Sequence, residues 1–271
     1  GTCGTATSTI SGAFVTNALP TPTASSNTPQ CAGGTLNLSS SGGTSYSWTG
    51  PGSFSSTSQN PSITNITTAA SGTYTVTVTN ASGCVATATT NVTVNALPIP
   101  ALTSSDSDNT FCAGTSITFT AGGGTNYNFR VNGTSVQNGT SNTYISSAIT
   151  NGQVIDAIVT NALGCAAISS AIINSVNPLP TPAFINPSTS VCASDNVVYA
   201  TQAGQANYVW NVPGVLNTDY TITSGGIGAT NNTVTLKWIT SGSKTVLVNY
   251  TNSNGCTGTA AQITTTVHPV P

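Results

Sequence analysis

Glutamate and methionine are absent from this sequence, and charged side chains are scarce: three cations (Arg130, Lys237, Lys244) and five aspartates, with one histidine, in 271 residues. Charged residues make up 3% of the chain, where ordinary soluble domains carry roughly 25%. Each shortage excludes something. With no basic patch to neutralise phosphates, nucleic acid is not an expected partner. With no glutamate, a single histidine and aspartates that do not recur in register, a general acid and base cannot readily be paired, and no catalytic residue is expected. No long apolar or polybasic run marks a membrane segment, so membrane insertion is not expected either. No close CxxC spacing suggests zinc, and no cofactor is implied. Disorder also fits poorly, because disordered chains of low hydrophobicity usually carry high charge. Solubility must rest on serine, threonine, asparagine and glycine.

What the chain has instead is repetition. A Leu/Val-Pro element falls at Pro20, Pro98, Pro180 and Pro271, a spacing of about eighty to ninety residues that suits one β-sandwich per period. The expected division is a last strand of a truncated preceding repeat at 1–19, then repeats at 20–97, 98–179 and 180–271. Alternation supplies the strands. Leu36 and Leu38 share a face, as do Tyr46 and Trp48, then Tyr74, Val76 and Val78 with threonines between them. The second repeat follows at a constant offset of 81, with Ile117 and Phe119, Tyr127 and Phe129, and Ile155, Ala157 and Val159. The third has Val197 and Tyr199, Tyr208 and Trp210, and Val246, Val248 and Tyr250, with about ten extra residues that predict a longer middle hairpin. Trp48, Phe129, Trp210 and Trp238 are expected in the cores, not as sugar-stacking platforms. Helical periodicity is nowhere sustained.

Cysteines fall two per period, Cys31 and Cys84, Cys112 and Cys165, Cys192 and Cys256, leaving Cys3 unpaired within this segment. Paired cysteines in a repeat array point to an oxidising, extracellular setting. Bonds within each repeat are the favoured pairing. Each would close a loop of more than fifty residues, worth about 4 kcal/mol in the chain-entropy model. Pairing across neighbours, Cys3 with Cys31, Cys84 with Cys112 and Cys165 with Cys192, stays open. The chain begins at Gly1 with no signal or sorting segment, and reads as an excerpt or a processed product.

Two places invite a chemical reading. Asp106 and Asp108, with Asn109, offer oxygen donors for calcium, but the other repeats have no matching acids and a solvated turn accounts for them. His268 stands where the other repeats carry asparagine and has no partner ligands of its type.

The order Cys-Ala-Gly, alternating strand, Tyr-x-Trp, Ser-Gly-x-Tyr-x-Val-x-Val-Thr-Asn-x-x-Gly-Cys, then Val-x-Val-Asn-x-Leu-Pro resembles the tandem Ig-like/PKD-like repeats of very large surface proteins in Bacteroidota, gliding adhesins among them. The resemblance implies all-β Ig-like sandwiches in a beads-on-a-string rod, export by type IX secretion, and display at the cell surface, attached to the outer membrane. It implies structural roles for the three cysteine pairs, the Tyr-x-Trp positions and the proline joints. The implied partners are neighbouring repeats, the secretion or gliding machinery, and surface glycan reached through other parts of the chain. Phe129 in place of Trp, and the longer third repeat, depart from the pattern. Two other readings stand beside the stalk: a filament subunit assembled by strand donation, and a carbohydrate-binding accessory module.

Overall fold

Strict alternation along Gly72–Thr79 buries Tyr74, Val76 and Val78 and turns the threonines outward. The same rule, applied strand after strand, gives three β-sandwiches in the computed structural model, which describes residues 16–270. Each has a core of its own. Leu36, Leu38, Trp48, Tyr74, Val76 and Val78 fill the first; Phe119, Phe129, Ile155 and Val159 anchor the second; Tyr199, Trp210, Leu236, Trp238 and Val248 anchor the third. The all-β, tandem-sandwich expectation is met.

In the first sandwich one sheet runs Thr23–Ser26, Leu36–Ser41, Ser62–Ile63, and faces a sheet ordered Phe54–Ser56, Ser45–Gly50, Gly72–Thr79, Val85–Val92. The second repeats this order. Ala101–Ser104, Ile117–Gly122 and Thr143–Ser146 face Thr134–Gly139, Asn126–Val131, Val154–Thr160 and Ala166–Ile168. In the third, the extra residues build the Tyr220–Gly225 and Thr233–Trp238 hairpin. Its second strand pairs with Asn196–Ala200, and its first becomes the sheet edge.

One pairing recurs in all three and fixes the geometry of the ends. Gln30–Cys31 lies parallel to Val94–Asn95, Thr110–Cys112 to Ser175–Asn177, and Ser190–Cys192 to the end of Ala261–His268. A parallel partner of the last strand must finish where that strand finishes. The first cysteine of each sandwich therefore sits at the exit end, opposite Asn95, Asn177 and His268 respectively.

Candidate functional site

The second cysteine of each sandwich lies at the other end. Cys84, Cys165 and Cys256 close the tight turn between the last two strands, after the motif Thr-Asn-x-x-Gly-Cys. In each turn the asparagine works twice. The Asn161 Oδ1 accepts the amides of Leu163 and Cys165, both at 3.0 Å, while its Nδ2 donates to the Ala96 carbonyl at 3.0 Å. Asn80 caps Ser82 and Cys84 and donates to Ala18 at 2.8 Å; Asn252 caps Asn254 and Cys256 and donates to Pro178 at 3.2 Å. The three acceptors sit two residues before Pro20, Pro98 and Pro180. One side chain thus shapes the turn and clasps the incoming linker.

A second turn presses on the linker from beside it. Gly42 (φ +102) and Gly123 (φ +94) lie so close to it that an added Cβ would come within 2.4 Å of the Thr21 carbonyl oxygen and 2.1 Å of that of Ile99. Their neighbours Gly43 and Gly124 lie against Val78 and Val159. Tyr46 holds this turn by donating to the Gly43 carbonyl at 2.9 Å, and Tyr127 does so to Gly124 at 2.5 Å. In the third sandwich the close approach comes from Gly258, whose Cβ position is 2.0 Å from the Pro180 carbonyl oxygen. Tyr208 there donates to Gln202 at 2.7 Å.

Covalent bonds complete the joint and correct the expected pairing. Cys31 bonds Cys165, and Cys112 bonds Cys256, each with a Cα–Cα distance of 5.6 Å. Pairing within a repeat is geometrically excluded. The eight-residue strand Val85–Val92 separates the two ends of the first sandwich, about 26 Å at 3.3 Å per residue, while disulfides need Cα atoms within about 7 Å. Cysteines such as Cys84 and Cys112, at the entry of one sandwich and the exit of the next, are farther apart still. The bond instead runs from the exit of one sandwich to the entry of the following one. Cys192 is corrected too: it is an exposed free thiol, not bonded to Cys256. Cys84 is disulfide-bonded, and Cys3, with most of the 1–19 segment, lies outside the described residues.

The other singled-out residues fall elsewhere. Trp48, Phe129 and Trp238 are fully buried and Trp210 nearly so. Asp106 and Asp108 both accept the Thr110 amide at 3.0 Å, closing the turn before Cys112. The His268 Nε2 lies 3.0 Å from the Ser190 hydroxyl. Among the described residues no three His, Cys, Asp or Glu side chains gather as metal ligands, and no helix is long and apolar enough to cross a membrane. Sequence reasoning missed the three asparagines and the paired glycines of the joint. The signal available was their recurrence in register: the asparagine stands four residues before the turn cysteine in all three repeats, and Gly42-Gly43 and Gly123-Gly124 stand 81 positions apart.

Residues 178–267, the third sandwich, match the PKD-like domain. No curated protein sequence matches the chain. Among solved structures, three titin domains (I67–I69, an E-to-A mutated variant) are 12% identical over 93% of this chain and 99% of that one, at a TM-score of 0.40. The three N-terminal domains of the bacteriophage RB49 highly immunogenic outer capsid protein are 13% identical over 93% and 100%, at 0.33. Fibronectin(III)-like modules of Clostridium thermocellum CbhA are 17% identical over 57% and 95%, at 0.33.

Proposed function

We propose that this chain is a stretch of stalk in a large secreted adhesin, holding a binding tip away from the cell that displays it. The observation that carries the reading is the joint. Two bodies joined by one peptide link can swivel; a second covalent link at a different point leaves only a hinge. Here each of the two joints between the three sandwiches has both, with an asparagine clasp between them. Magnitudes rank the parts. Disulfides closing loops of 134 and 144 residues are worth about 5 kcal/mol in the chain-entropy model, against about 1 kcal/mol for a neutral hydrogen bond. The staple dominates and the clasp orients.

Disulfide use fits an extracellular setting, and Ig-like and PKD-like sandwiches are typically structural domains. Attachment to the outer membrane, type IX export and a part in gliding belong to this proposal through the resemblance of the repeats. A carbohydrate-binding module would need exposed aromatic platforms, and all three tryptophans are buried. The test is antibody raised against this chain, applied to intact cells and to a reduced, denaturing gel of their surface proteins. Surface labelling with a parent band of hundreds of kilodaltons is expected. Labelling only after lysis, or a parent no larger than this chain, would overturn the reading.

A further inference from the structure

The direction of the staples has a mechanical consequence. From Cys84 the chain runs down the last strand of the first sandwich, Val85–Val92, through the joint, and down the first strands of the second, Ala101–Ser104 and Thr110–Cys112. Cys112 then passes to Cys256, which heads the last strand of the third sandwich. A second line starts with the first strands of the first sandwich, Thr23–Ser26 and Gln30–Cys31. It crosses to Cys165 and continues through Ala166–Ile168 and Ser175–Asn177 to Ser190–Cys192. Both lines follow the array largely through strands that are already extended, interrupted by turns or coil such as 27–29, 105–109 and 178–189, so their slack is confined to such short segments.

We infer that tension passes along the array through these two interleaved covalent lines and bypasses the folded interior of the second sandwich, which is stapled at both ends. Between the first and third sandwiches, neither line enters residues 113–164. Spacing agrees with this division of labour. Cys84 and Cys112 are 28 positions apart and Cys165 and Cys192 are 27, while the stretches within a repeat run 53, 53 and 64. A segment that must reach along two sandwiches has a fixed length; an interior outside the load can take an inserted hairpin, as the third has done. In most tandem arrays sandwiches are linked in series and each opens under load in turn. Here the second sandwich cannot lengthen while its staples hold. This deepens the stalk reading and rests on it for its purpose, but its test reads length under force and is silent on surface display.

The test is single-molecule pulling on the full chain with azide-bearing residues at Ser25 and Ser188 as handles. Both positions are exposed and lie on the line that crosses from Cys31 to Cys165. In the oxidised protein no unfolding step is expected before the tethers fail. After reduction, the chain between the handles should come out in steps, releasing on the order of 500 Å. C31S, oxidised, removes one staple and should restore stepwise release while the Cys112–Cys256 bond remains, and force peaks in its trace show that the sandwiches are folded. Release of the same length by oxidised and reduced protein would overturn the inference. So would a C31S trace without steps.

Discussion

Inside the third sandwich, three side chains form a buried relay whose donors all point one way. The Trp238 Nε1–H donates to the Tyr199 hydroxyl at 3.2 Å, Tyr199 donates to the Thr265 Oγ1 at 2.9 Å, and Thr265 donates to the Ser188 carbonyl at 2.7 Å. All three side chains are fully buried. Thr265→Val keeps the shape but leaves the Tyr199 O–H and the Ser188 carbonyl without partners. It should cost about 1–3 kcal/mol, measured by denaturant unfolding followed through tryptophan emission; an unchanged midpoint would deny the relay its role. Asp219 supplies a pH dependence in the same sandwich. The Val215 amide at 2.8 Å, then the Thr240 hydroxyl at 3.1 Å, hold its carboxylate below the ordinary 3.8. A depressed carboxylate stabilises its loop fully above the unfolded-state value, and that stability is lost as pH falls through the lower folded value. The Val215 amide resonance should therefore titrate with a midpoint below 3.8, and a midpoint at or above it would contradict the assignment. The packing of tryptophan and tyrosine into the cores was legible from alternation alone. The relay was not, because Thr265 reads as one more threonine in the run Thr264–Thr266 until the sheets are stacked.

Strands and turns divide along the same line. Alternation in TYTVTVT and the Tyr-x-Trp pair placed the sheets, since a period of two reports which side of a strand is dry. Disulfide pairing depends on strand direction, which composition and spacing do not carry. The turn motif ending in Cys84 and the short strand ending in Cys31 mark opposite ends of one sandwich, and only the parallel pairing of Gln30–Cys31 with Val94–Asn95 makes that plain. The clasp predicts a separable effect. Asn161→Asp keeps an acceptor for the Leu163 and Cys165 amides but sets an oxygen against the Ala96 carbonyl. Fold stability should barely move, while the Cys31–Cys165 bond should become about fivefold easier to reduce against glutathione, equivalent to about 1 kcal/mol. An unchanged exchange equilibrium would show that the clasp does not orient the joint. The glycine turn gives a contrast. Gly123→Ala meets both a positive φ and the Ile99 carbonyl, whereas Gly164→Ala, at φ +81, meets open space. The second should cost about 1–2 kcal/mol for the left-handed backbone alone, and the first clearly more; equal costs would mean that the linker does not press on Gly123.

At the scale of the whole molecule the question is what the exit end of the third sandwich is built to receive. Cys192 holds the place that Cys31 and Cys112 hold. It faces His268 as they face Asn95 and Asn177, and the alanine after each donates its amide to that facing residue, at 2.9, 2.9 and 2.7 Å. Cys31 and Cys112 both bond the turn cysteine of the sandwich that follows. If end geometry directs the pairing, a copy of residues 181–271 appended after Pro271 should bring its own turn cysteine to Cys192. With oxidised glutathione present, one thiolate displaces a glutathione thiol to form a mixed disulfide, and the second displaces the other, so both electrons end on glutathione. Non-reducing peptide mapping should then join Cys192 to the appended copy of Cys256, and maleimide should label the appended copy of Cys192 while leaving the original Cys192 unlabelled. Labelling of the original Cys192, or a disulfide between the Cys192 residues of two chains, would mean that the staple depends on details of the first two joints. The predicted link would instead make each exit end a socket, so that an array of any length carries the same two covalent lines.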